Sequence, residues 1–348
     1  VMSVAKGQSS LGSVPTRRES CVQRLVCNLL SSFFMLKQPL VLSDMKKLQA
    51  RAMRLLSASL FLFGALTFAS VRAETSAIPT TAVTATVAAN TGKLHQWCKQ
   101  VTPRLPKVSL NECLNSKLAP GGGRSIKGLP LMTRDFAVDL RAKKVQRVLL
   151  IGGIHGDEKT ATAVVFEWLA AMSKSSAQEF QWKVAPLVNP DGLLAAKSTR
   201  VNARGVDLNR NFPTPDWDKE ALQYWAKKTK SDPRRFPGKK PVSEPESKWI
   251  FDTIKSFQPD VIISVHAPFG VLDLDGPAQP PTRFGRLHYN RVGVYPGSLG
   301  NYSGIHQDIP VLTIELPHAL TMPSPSEISR IWHDMQVWIR QHISARKN

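Results

Sequence analysis

Gly152-Gly153-Ile154-His155-Gly156-Asp157-Glu158 places an imidazole and a carboxylate three residues apart, directly after the apolar run Val148-Leu149-Leu150-Ile151. Such a run reads as a strand buried on both faces. The glycines that follow let the backbone turn sharply enough to bring both side chains to one side. Histidine and glutamate are suitable zinc ligands, and a catalytic zinc takes three protein ligands and keeps one position open. The HxxE pair by itself is weak evidence, and its position at a strand end strengthens it. A second apolar segment, Val261-Ile262-Ile263-Ser264-Val265, ends in His266. Alone, that histidine reads as a core residue; beside His155 and Glu158 it reads as the third ligand. His95, His288, His306, His318, His333 and His342 fall on expected helices or loops without a partner at ligand spacing and are read as structural.

Thr313-Ile314-Glu315-Leu316 sets a carboxylate inside another apolar strand. Burying that charge is costly unless something pairs with it. A general base directed at a water on the metal would justify the cost; an edge-strand glutamate facing solvent is the plainer reading. Residues 199–213 hold Arg200, Arg204 and Arg210 with Asn202, Asn209 and Asn211. Arginine suits a bidentate grip on a carboxylate and also the stabilisation of a developing oxyanion. Val206, Leu208 and Phe212 are interleaved with them and should anchor the segment to a core.

Positioning these groups requires strands that end together. Val148–Ile151, Trp182–Leu187, Asp260–Val265 and Val311–Leu316 read as strands, alternating with helices expected over Thr160–Met172, Ser243–Phe257 and Ser324 to about Ile343. Ser243 with Glu246 reads as a capping box, and Ser324 as a helix cap. Residues 119–123 read as a turn, Asn189-Pro190-Asp191-Gly192 as another, and 214–245 as a long loop. The alternation predicts an α/β fold in a single domain: a mixed, largely parallel, twisted sheet with helices on both faces.

The 348-residue chain carries a formal net charge of +20. Arg51 and Arg54 precede the apolar stretch Leu55–Phe68, and Val71-Arg72-Ala73 offers a cleavage site, so residues 53–73 read as a secretory signal peptide. Its apolar core is shorter than the roughly 20 residues of a membrane anchor. Residues 1–52 are then an upstream segment, either absent if translation starts at Met45 or Met53, or a long leader. Residues 74–118 read as a flexible spacer (74–92) and a helical segment (93–118), and 119–348 as the catalytic domain. Removing the 10 Lys/Arg and 2 Asp/Glu of residues 1–73 from totals of 46 and 26 leaves 36 against 24, a net +12. No basic run interleaved with aromatics points to nucleic acid, and the charge suits a mild attraction to anionic cell-wall polymers. Cys98 and Cys113 are the two cysteines after residue 73 and are expected to pair in an oxidising compartment.

Together these motifs resemble the zinc carboxypeptidase family, over roughly residues 120–345, and within it the bacterial murein peptide amidases. The resemblance implies one zinc held by His155, Glu158 and His266, with Glu315 as general base. It implies that Arg200 polarises the scissile carbonyl and that Asn209 and Arg210 bind the substrate's terminal carboxylate. A family tyrosine before a Gly-Ser pair is matched by Tyr295, with Tyr302 a weaker candidate. The implied reaction is hydrolysis of a peptide or amide bond next to a free carboxylate, as between γ-D-glutamate and diaminopimelate in a peptidoglycan stem peptide. The expected enzyme is a periplasmic or secreted monomer, without a stable membrane span once the signal is removed. Asp273 and Asp275, in an expected loop over Phe269–Pro277, could meet the amino group of diaminopimelate; an acidic turn is the plainer reading. The competing functions are a zinc deacylase of N-acyl amino acids and a catalytically silent cell-wall binding protein.

Overall fold

The computed structural model describes residues 80–138, 145–175 and 178–345. The expected signal peptide, the upstream segment and residues 74–79 lie outside them. From Thr80 the expected spacer is helical, as α1 (Thr80–Val101). Alanine is the best helix former, and the C-terminal half is held by buried Leu94, Trp97, Cys98 and Val101. Cys98 is bonded to Cys113 in the short α2 (Leu110–Asn115), which Ser109 and Glu112 close with a capping box. The 15-residue separation corresponds to about 3 kcal/mol of loop-closure entropy removed from the unfolded chain.

The expected turn at 119–123 is instead a strand, β1 (Ala119–Arg124), antiparallel to β2 (Pro130–Phe136). Its glycines serve close packing: a side chain at Gly123 would enter the ring of Trp249, whose indole N–H donates to the Gly121 carbonyl at 2.8 Å. The chain continues through β3 (Arg147–Ile151), α3 (Lys159–Ser173), β4 (Gln181–Ala185) and α4 (Pro190–Leu194). Asn189 caps α4 where a turn was expected. Within the expected 214–245 loop lie α5 (Trp217–Lys228), seated through buried Trp217 and Ala221, and a 3-10 turn at Pro233–Arg235. Helix α6 (Pro245–Phe257) has Glu244, not Ser243, at its N-cap and no side-chain cap. The expected capping box is absent because the Glu246 carboxylate accepts from the Ile126 N–H and the Asn202 amide instead. Then follow β5 (Val261–His266), β6 (Val271–Asp275), β7 (Arg283–Phe284), β8 (Leu287–Tyr289), β9 (Val311–Glu315) and α7 (Pro325–His342). Strand β6 corrects the loop expected at Phe269–Pro277, and His288 lies in β8 rather than on a helix or loop. Ser324 caps α7 by accepting from the Glu327 N–H, as expected.

Among the described residues these strands form one sheet in the order β1-β2-β4-β3-β5-β9-β6-β8-β7. The centre, β4-β3-β5-β9, is parallel, while β2 and β6 flank it antiparallel. The sheet is therefore mixed and parallel where the predicted ligands stand. Side chains alternate along a strand, and β3 shows why both faces must be covered. Val148 and Leu150 pack with α3 and α7, whereas Leu149 and Ile151 pack with α6. No helix of the described residues is long and apolar enough to cross a membrane.

Candidate metal centre

Three adjacent parallel strands bring the predicted groups to one edge. Ile151 of β3 is opposite Ser264 of β5, and His266 of β5 is opposite Glu315 of β9, so the C-terminal ends of all three strands lie side by side. This carboxyl edge is where open α/β sheets bind ligands. Beyond Ile151 the backbone turns through Gly153 at φ +57°, a conformation costly for residues with a side chain. Gly156 lies against the backbone of Gly192 and Leu193, where a side chain would not fit. The turn delivers His155 and Glu158 to the point His266 reaches from β5.

His155, Glu158 and His266 are all buried, and their ligand atoms lie within 4.8 Å of one another. The His155 Nδ1 is 2.8 Å from Glu158 Oε1 and 3.2 Å from the His266 Nδ1, which is itself 3.1 Å from Glu158 Oε2. Donor atoms on a tetrahedral zinc with bonds of about 2.0–2.1 Å sit about 3.3 Å apart. Two imidazole nitrogens and a carboxylate already converging at that separation fit the ion. The outward nitrogens are also held. His155 Nε2 lies 3.1 Å from Asp207 Oδ1, and His266 Nε2 lies 2.9 Å from the Ser264 hydroxyl. Such outer partners orient imidazole ligands. Burial alone would push the Glu158 carboxyl up, but His155 and His266 outweigh it and hold it well below the usual range.

The other predicted residues line the same cleft, a cavity of about 710 Å³. Burial pushes the Glu315 carboxyl up to about 7, with His266 pulling it down and Glu158 pushing it up. Arg200 donates through Nε to Asp207 Oδ2 at 2.9 Å, and its Nη1 is 3.4 Å from Glu158. The Asn209 side-chain oxygen accepts from the Leu299 N–H at 2.8 Å, which leaves its NH2 as the donor for a ligand. Arg210 is buried, with its guanidinium 4.3 Å from the centre of the Tyr295 ring, and burial lowers its pKa to about 10. It remains a cation at neutral pH. The Tyr295 hydroxyl donates to the Val292 carbonyl at 2.9 Å. Tyr302, the weaker candidate, is a core residue packed on Phe212 and Phe251.

Several site residues had no assignment from sequence. Asp207, fully buried, links His155 to Arg200, and burial's upward push on it is outweighed by Arg200 and then His155, which hold its carboxyl well below its usual range. Its signal was available: an acid flanked by Val206 and Leu208, which are themselves buried. Ser264, two residues before a strand-end histidine, points with it to the same side, as strand alternation requires. Arg234 and Arg235 also line the cleft, and Arg234 donates to Asp157 at 2.7 Å. Nothing local in their Pro- and Lys-rich stretch marked them out.

Residues 120–272 match the zinc carboxypeptidase family. That span includes His155, Glu158, Arg200, Asn209, Arg210 and His266 and ends before Tyr295 and Glu315. Murein peptide amidase A of Vibrio campbellii is 30% identical over 203 residues, which cover 56% of this chain and 77% of that protein. Murein peptide amidase A of Escherichia coli K12 is 33% identical over 153 residues, 43% of this chain, and the match spans 60% of that relative's length. Among solved structures, the murein-tripeptide amidase MpaA of Escherichia coli O157 is 26% identical over 62% of this chain and 89% of its own, with a TM-score of 0.44.

Proposed function

This chain belongs to the zinc carboxypeptidase family, and we propose that it is a zinc-dependent hydrolase of a peptide or amide bond adjacent to a free carboxylate. The substrate class we infer is the peptidoglycan stem peptide, at a bond such as γ-D-glutamyl–diaminopimelate. The observation that carries the reading is one cleft joining His155, Glu158 and His266 to a buried cation, Arg210, and a buried carboxyl, Glu315. The relatives named murein peptide amidase A support the substrate class.

When bound, zinc polarises a water and the carbonyl under attack. The chain's own groups do the rest. Glu315 takes the proton of the attacking water and returns it to the leaving amine, a task suited to a carboxyl whose pKa of about 7 lies near neutrality. Arg200, held by Asp207, presents a cation beside the ligands where negative charge grows on the carbonyl oxygen. Arg210 and the Asn209 amide hold the terminal carboxylate, and Tyr295, stacked on Arg210, closes the wall behind it. The chain is further proposed to act as a monomer after export, with residues 53–73 removed. The buried Cys98–Cys113 bridge suits the oxidising compartment that export implies.

Digestion of defined muropeptides and of N-acyl amino acids by zinc-loaded protein, read by mass spectrometry, tests this. Release of the terminal residue from the muropeptide is expected. Cleavage confined to N-acyl amino acids would make the chain a deacylase, and no cleavage of either would leave a binding protein.

A further inference from the structure

Residues 227–240 carry seven Lys/Arg against one acid, Asp232. A stretch of that composition is ordinarily a solvated face. Its lysines are exposed and outside the cleft, whereas Arg234 and Arg235 line the cleft together with the predicted ligands. The backbone is built to turn these two inward. Pro233 opens the 3-10 turn, and the Asp232 carboxylate accepts from the Arg234 N–H at 2.9 Å. The Trp225 indole N–H donates to the Asp232 carbonyl at 2.7 Å, and its ring meets Phe236 edge to face, 4.9 Å between centres. The Phe236 carbonyl accepts from the Asp207 N–H and the Pro237 carbonyl from the Asn211 amide, both at 2.8 Å. The turn bearing the two arginines is therefore tied to the segment that carries Arg200 and Arg210.

Their side chains meet the groups assigned to the reaction. Arg234 donates through Nη2 to Asp157 Oδ2 at 2.7 Å. Asp157 stands between the ligands His155 and Glu158 and is near enough to Arg200 to favour its charge. The other Asp157 oxygen is buried without a hydrogen-bond partner, so this acid depends on Arg234. Arg235 is near enough to Arg210 for the two like charges to oppose each other. Its Nε is 3.5 Å from Asp232, and its two terminal nitrogens form no hydrogen bond among the described residues. Both guanidinium groups are about half exposed and open to a ligand. A carboxylate would accept from such forks and relieve the repulsion at Arg210. Arg210 is already assigned the terminal carboxylate, so this second anion is a different group. The carbonyl under attack is assigned to the metal ligands and Arg200, and the residue that carries it is the one that reaches Arg234.

We propose that Arg234 and Arg235 form a second anion site in the cleft, which takes a free carboxylate on the acyl residue of the bond being cleaved and so selects an acidic residue there. This rests on the cleft being the substrate site proposed above. A glutamyl residue joined through its side-chain carboxyl keeps its α-carboxylate free and fits the site; the same residue with that carboxylate converted to an amide does not.

Calorimetry on zinc-loaded Glu315→Gln protein, with N-acetyl-γ-D-glutamyl-diaminopimelate and the same peptide bearing an α-carboxamide on its glutamyl residue, tests the site without requiring turnover. The carboxylate peptide should bind about 5- to 20-fold more tightly at low salt, because half-exposed ion pairs are individually weak. Added salt should shrink that ratio. Arg234→Gln and Arg235→Gln in the same protein, checked for zinc content and thermal unfolding, should each bring the ratio towards one while leaving the affinity for the carboxamide peptide unchanged. A merely structural role would weaken both peptides alike. Equal binding of the two peptides before either arginine is changed overturns the inference, and so does a preference that survives in both variants. If a variant fails to fold, the comparison with both arginines present decides. The two peptides are then given to zinc-loaded native protein. A binding preference without cleavage keeps the site and removes the hydrolase reading; cleavage of both peptides with equal kcat/KM does the reverse.

Discussion

Replacing Glu315 by glutamine should stabilise the metal-free protein and silence the enzyme. The side chain is 6% exposed, and burial raises its pKa from 4.5 to about 7. A carboxyl whose folded pKa lies above its unfolded value contributes stability below the unfolded pKa. That contribution is lost as pH rises through the folded value. The interval of about 2.5 units, at 1.36 kcal/mol each, amounts to roughly 3 kcal/mol by pH 9. Glutamine keeps the shape and carries no charge, so it avoids the loss. With zinc stripped by chelation, Glu315→Gln and native protein should unfold at nearly the same temperature at pH 5. At pH 9 the variant should unfold about 6–10 °C higher, for a chain of this size. Reloaded with zinc, the variant should hydrolyse peptide about 10²- to 10⁴-fold more slowly, the span of general acid–base catalysis. The paired measurement is thermal unfolding across pH 5–9 together with single-turnover hydrolysis. A stability difference independent of pH would show that Glu315 is not a strained buried charge. Hydrolysis at the native rate would remove it as the base.

His266→Ala should lower bound metal well below one equivalent by elemental analysis, and tight stoichiometric zinc in that variant would take His266 out of the site. Asp207→Asn loses the carboxylate that orients His155 and Arg200, and metal affinity in a competitive chelator titration should drop about 10- to 100-fold; unchanged affinity would make Asp207 a packing residue only. Paired Cys98→Ala and Cys113→Ala substitutions should cost about 3 kcal/mol in denaturant unfolding while leaving zinc content unaltered, and a loss of metal would tie α1 and α2 to the site itself.

The parts of the site legible in the sequence were those where polar groups break an apolar strand. His266 and Glu315 each stand at the C-terminal end of an apolar strand, and the parallel pairing of those strands places both in the cleft. His155 and Glu158 were legible through the glycines around them. Asp207 was not, because its segment has no period: the chain is held there by the Val206 and Asn209 N–H groups donating to the Asn202 and Asp207 side chains rather than by a repeating face. Asp273 and Asp275 stood out as charges but looked like a turn, since Val271–Asp275 is too short to show alternation convincingly. The misread elements have a similar origin. The glycines of β1 resemble a turn until Trp249 is seen to require them. Helix α5 hides among prolines and lysines because only Trp217 and Ala221 of it are buried.

His155, Glu158 and His266 are proposed to hold one zinc ion without which the chain hydrolyses nothing. Titrating zinc into chelator-stripped protein while following cleavage of a defined muropeptide tests it most directly. Activity should rise linearly and level off at one equivalent per chain. Full activity before any zinc is added, or a plateau with no cleavage at all, would contradict it.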